Sequence, residues 1–122
     1  MYEKLLADQA PTIKDIKFMT MDGKVIKEDN DWYHLDKQVK IGITLQGNCG
    51  VIDLFYTPLG TETYKQQQLI EEIMPKQNYA EYVWNVPDDA GGQFNIIAYN
   101  KDVGRRSDLY NVVSSTQFKN LR

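Results

Sequence analysis

Side chains able to do acid–base, nucleophilic or metal chemistry are few and scattered in this 122-residue chain. His34 is the single histidine and Cys49 the single cysteine. His34 stands in Trp32-Tyr-His-Leu-Asp36 with no second ligand at a metal-binding spacing, so it reads as a structural or solvated histidine. Glu28-Asp-Asn-Asp31 and Asp88-Asp89 group carboxylates, and Ca²⁺ takes about six to eight oxygen ligands. Neither run continues into the central Gly and distal Glu of an EF-hand loop. Asp and Asn in such places close turns by bonding their own backbone. Glu71 and Glu72 are adjacent and point to opposite faces of an extended strand, which makes a poor acid–base pair. There is no phosphate-cradling loop, zinc spacing or nucleophile elbow. The expectation is no catalytic residue, no metal site, no cofactor and no enzymatic turnover.

Binding is better provided for. Trp32 and Tyr33 are consecutive, so in an extended segment one ring faces away from the core. An exposed ring can stack on a sugar or anchor a protein partner, while packing over the core is the plainer role. Arg105 and Arg106 close the run Lys101–Arg106, read here as a loop, where a guanidinium pair can meet a carboxylate or sulfate. A solvated turn is the plainer role for these two. Trp32, Tyr33, Arg105 and Arg106 are thus the candidate partner- or glycan-binding residues. Tyr64 and Tyr79 are further stacking platforms if the ligand is a carbohydrate.

The elements that must position these residues are strands. In Val39-Lys-Ile41-Gly-Ile43-Thr-Leu45-Gln the odd positions are apolar and the even ones polar or glycine. In Val51–Thr57 the inward set is Ile52, Leu54 and Tyr56, because the other phase would bury Asp53 at a high desolvation cost. Tyr82, Trp84 and Val86 share one face, and Phe94, Ile96 and Ala98 another, across a Pro87–Gly92 turn. We expect Trp84 to pack on Ile41, Ile43 and Phe94. Thr12–Met19 reads as a first strand with a bulge, since Ile13, Ile16 and Phe18 change phase. Asp22-Gly23 signals a turn and Lys24–Lys27 a short edge strand. Trp32–Leu35 is read as leading into the Val39 strand. Tyr64–Met74 has a helical pattern in Leu69, Ile70, Ile73 and Met74, but we read an extended segment there.

Composition agrees with one globular domain. Hydrophobic residues make up 42% and charged residues 25%, near the soluble average, and the length suffices for a core without staples. Fourteen basic against seventeen acidic residues, with no basic stripe, speak against nucleic-acid binding. No apolar run approaches the roughly 18 residues of a membrane span. We divide the chain into a tail or linker at 1–11, a domain at 12–115 and a C-terminal tail at 116–122.

Three stretches carry a resemblance to a known family. They are Phe55-Tyr-Thr57-Pro58-x-Gly60-Thr61, Trp84-x-Val86-Pro87, and Phe94-x-Ile96-x-Ala98-Tyr99-Asn100 followed by Gly104 and Ser107. Over about residues 12–114 the chain resembles bacterial immunoglobulin-like and fibronectin type III-like modules of large exported or cell-surface proteins. The resemblance implies an all-β, immunoglobulin-like Greek-key β-sandwich of about seven strands. A single cysteine rules out the inter-sheet disulfide of antibody-type domains, and Trp84 falls on strand E rather than strand C. The function implied is a non-catalytic extracellular spacer, adhesion or protein-binding module, or alternatively a carbohydrate-binding module. Its partners would be neighbouring domains of a larger chain and a protein or glycan ligand, with the module itself a monomer. The start Met1-Tyr-Glu-Lys-Leu-Leu-Ala-Asp8 has no signal-peptide apolar core, which does not settle the compartment, and the resemblance implies a secreted or cell-surface location.

Overall fold

The computed structural model describes residues 9–58 and 67–115. These form β1 Thr12–Met19, β2 Tyr33–Leu35, β3 Gln38–Gln46, β4 Val51–Pro58, β5 Gln68–Ile73, β6 Tyr79–Asn85, β7 Ala90–Asn100, β8 Val103–Arg106 and β9 Tyr110–Ser114. Among the described residues there are nine strands, against the expected seven or so. Residues 1–8 of the 1–11 tail, the C-terminal tail at 116–122, and Gly60, Thr61 and Tyr64 lie outside the described residues.

The alternation read in the sequence is realised in three dimensions. Val39, Ile41, Ile43 and Leu45 of β3 are buried, as are Ile52, Leu54 and Tyr56 of β4. The phase change in β1 is a register slip against β3 between Ile13 and Asp15, and a bulge of this kind turns one residue out of phase. Asp53 takes the outer face of β4, although its Oδ1 is covered and has no hydrogen-bond partner among the described residues.

One sheet has the antiparallel order β1-β3-β6. The other runs β2-β9-β7-β4-β5, with β8 on the far half of β7. In this second sheet β2 lies parallel to β9 and the remaining pairs are antiparallel. Aromatic rings join the two layers. Phe18 of β1 meets Phe94 of β7 edge-on at 5.1 Å, and Trp84 of β6 lies 5.8 Å from Phe94 and 5.7 Å from Tyr56.

Several local expectations change. Tyr33–Leu35 does not run on into β3. It pairs with Val112–Ser114 in the other sheet, so the chain changes sheets at Asp36-Lys37. Lys24–Lys27 forms no strand; Val25 makes a single bridge to Met19, and Ile26 N donates to Phe18 O at 2.8 Å. The segment with helical propensity is extended at Gln68–Ile73, where the edge of β4 supplies backbone partners that propensity cannot outweigh. The β6–β7 turn is tighter than read. Ala90 N donates to Pro87 O at 3.0 Å, and β7 already begins at Ala90, taking Gly91 and Gly92 into the strand.

Candidate functional site: the seam along β1 and β9

Three of the four candidate residues meet along the open seam between the sheets. Phe18, fully buried on β1, forms its floor. The Tyr33 ring of β2 packs 4.9 Å from Phe18, and the Tyr110 ring of β9 lies 5.9 Å from Phe18 and 6.1 Å from Tyr33. Consecutive residues on β2 alternate faces, and the parallel pairing with β9 holds Tyr33 over the seam.

Carboxylates rim this aromatic cluster. The Tyr33 hydroxyl donates to Glu28 Oε1 at 3.4 Å. Burial pushes the Tyr33 hydroxyl pKa up, and the charge and hydrogen bond of Glu28, then the charge of Asp15, add to it. Tyr110 is raised by burial first and then by Asp108, Tyr33, Asp15 and Glu28. Both shifts favour the protonated hydroxyl, which is able to donate at neutral pH. A hollow of about 390 Å³ opens here between Glu28, Asp31, Tyr33, Asp108, Tyr110 and Asn111.

The arginines lie across Tyr110. A second hollow of about 230 Å³ is lined by Lys14, Asp15, Arg105, Arg106, Asp108 and Tyr110 among others. Asp108 and Tyr110 are common to both hollows. Arg105 and Arg106 are not in a loop, as the sequence suggested, but on β8. Only Lys101-Asp102 turns the chain, with Lys101 at φ 56°. Arg105 Nε donates to Pro11 O at 2.9 Å. Arg106 donates from Nη1 to Asn95 Oδ1 and, at 3.2 Å, to Gln67 Oε1, with its guanidinium 5.9 Å from the Phe55 ring centroid. Arg105 and Arg106 are exposed, and each is also held by hydrogen bonds of its own.

The other candidates lie apart. Trp32 is half-buried and lines neither hollow. It closes a tight turn with Asp29 through paired backbone bonds, with Asn30 and Asp31 at positive φ. Glu28–Asp31 therefore does serve as a turn, the role Asx residues fill by tolerating that conformation. Tyr79 sits on the outer face of the three-stranded sheet, over Gly42, and its hydroxyl donates to Glu81 at 3.0 Å. Tyr64 lies outside the described residues. Sequence reasoning missed Tyr110, Asp108 and Asp15 as neighbours of Tyr33 because nothing local links positions so distant along the chain, and it missed nearby Glu28 because the turn at Asp29–Trp32 is what folds it back onto Tyr33.

Among the described residues no three His, Cys, Asp or Glu side chains are grouped to hold a metal ion. Cys49 is half-buried, with its thiol pKa raised mainly by burial. Thermal melts with EDTA, with calcium and with dithiothreitol are expected to superimpose. A rise of several degrees with calcium would instead make the Glu28–Asp31 rim a cation site.

No helix among the described residues is long and apolar enough to cross a membrane. The described residues form an all-β protein of two packed sheets, with two hollows along the β1–β9 seam and a larger one, of about 620 Å³, beside the β2–β3 crossover between Met21, Leu35, Asp36, Val86 and Ser114. No family model and no curated protein matches the chain. Among solved structures it is similar to a hypothetical protein from Pyrococcus horikoshii OT3, at a TM-score of 0.47 and 11% identity over 91% of this chain and 100% of that one.

Proposed function

We propose that the chain is a non-catalytic immunoglobulin-like module that spaces neighbouring domains and binds a protein partner through the β1–β9 seam. The strand order supports the fold reading: β1-β3-β6 facing β9-β7-β4-β5 corresponds to strands A-B-E facing G-F-C-C′ of a Greek-key sandwich. The extracellular or cell-surface setting belongs to the same proposal and rests on the family resemblance.

The observation that carries the binding role is the bipolar seam. Carboxylates and tyrosine hydroxyls rim one hollow, and Lys14 and Arg105 bring cations to the next beside Asp15 and Asp108, with Tyr110 between the two and the Arg106 guanidinium turned to the outer face of β7. Such an arrangement suits a polypeptide segment offering a basic and an acidic side chain in turn, since complementary charges set register and specificity. The inward positions of both sheets are taken by apolar side chains, which leaves binding to the surface. A glycan platform would need an open ring face. Tyr33 is instead packed against Phe18, and Tyr79 lies on a different face of the molecule.

Screening against surface proteins and a glycan array tests this reading. A protein ligand is expected, and Tyr33→Ala with Arg105→Ala should weaken its Kd by at least about tenfold while leaving the circular dichroism unchanged. A glycan hit abolished by Trp32→Ala and Tyr33→Ala together would replace the protein-binding role with carbohydrate binding. Silence in both screens would leave a spacer alone.

A further inference from the structure

The sheet edges differ sharply in how they are protected against pairing with another chain. β1 carries a bulge and the charges of Lys14, Asp15 and Lys17, and its far end is covered by Val25 and Ile26. β2 has three residues and β8 four. β5 is interrupted by a register slip, and it sets Glu71 opposite the core residue Leu54. Bulges, short length, surface charge and inward-pointing charge are the devices that keep an edge from accepting a foreign strand.

β6 carries only one of them, the single surface charge of Glu81. It is seven residues long, pairs with β3 without a slip, and contains no proline. Val86 N donates to Lys37 O and Leu45 N to Asn78 O, which sets the even-numbered residues of β6 toward β3. By the alternation of an antiparallel ladder, the N–H and C=O groups of Glu81, Val83 and Asn85 point to the open edge. Among the described residues no strand pairs with that edge. Val83 on its outer face is 39% exposed.

We propose that β6 is a self-association edge, pairing antiparallel with β6 of a second copy about a two-fold axis at Val83. This register places Val83 opposite its own copy and Glu81 opposite Asn85, so every outward backbone group of the three residues gains a partner. No like charges face each other, whereas a register centred on Glu81 would oppose two carboxylates, which destabilises a cross-strand pair. The interface is isologous, and it joins two three-stranded sheets into one continuous sheet. It departs from the monomer expected from the sequence, and it lies on a different sheet edge from the seam assigned to the protein partner.

Sedimentation equilibrium over a dilution series from micromolar to near-millimolar tests the proposal. The wild-type chain should populate a dimer that dissociates on dilution. Amide exchange at Glu81, Val83 and Asn85 should slow as the dimer forms. Val83→Glu places a carboxylate opposite Lys40 within the chain but opposite its own copy across the axis; it should be monomeric with an unchanged circular dichroism spectrum. Mixing Val83→Glu with Val83→Lys should restore a dimer of the two variants. A wild-type chain monomeric throughout, exchange at the three amides independent of concentration, or a Val83→Glu chain that dimerises like the wild type would overturn it.

Discussion

Replacing Trp84 by alanine is expected to destabilise the protein by about 3–5 kcal/mol, the range for truncating a buried aromatic. Trp84 is only 3% exposed and sits where the sheets meet, touching the rings of Tyr56 and Phe94 in the opposing layer. Directly across from it in its own sheet is Val39, and Ile41 and Ile43 of the same strand belong to the same core cluster. The contact with Phe94 stands as expected. Alanine would lose the transfer free energy of the indole and leave a cavity between two sheets whose backbones are each fixed by their own ladders. Since a domain of this size is stable by only about 5–15 kcal/mol, the loss should be plain in a urea melt. An unchanged midpoint would mean that the ring is not between the sheets.

The second large effect is expected at a glycine. Gly92→Ala should cost about 1–3 kcal/mol, toward the upper end, by overpacking. A Cβ at Gly92 would stand 2.6 Å from Thr57 O and 3.3 Å from both the carbonyl carbon and Cβ of Thr57. Two of these three atoms are backbone, and they belong to the stretch where β4 slips register against β7 between Tyr56 and Pro58. A neighbour of that kind cannot swing aside as a flexible side chain would, so the ladder itself must shift. Gly50→Ala is the matched control, because a Cβ there meets nothing within 4 Å. Its effect should stay within about 0.5 kcal/mol, as for most surface changes. Equal midpoints for the two variants would remove the close approach of β7 to Thr57 as a constraint on the fold.

The apolar face of each core strand was determined by the sequence, although Asn95 on the other phase of β7 is buried as well. Alternation in Val39–Leu45, Ile52–Tyr56, Tyr82–Val86 and Phe94–Ala98 reports one buried face, and burial follows it at each of these strands because side chains on a strand alternate with period two. The bulge in β1 and the turn through Asn30 and Asp31 were also legible, since each is a local response of the backbone to residue type. What faces what was decided only by the tertiary structure. Tyr33 could have extended β3, and its parallel pairing with Val112 arises from a partner far along the chain that leaves no local mark. The same holds for the seam, where Phe18, Tyr33 and Tyr110 converge from three strands. Arg105 and Arg106 left the loop for β8 because the far half of β7 had an edge to satisfy, and a two-residue turn brought them onto it. Local pattern fixes which side of a strand is buried, but the choice of neighbouring strand is settled by backbone pairing and packing between distant segments.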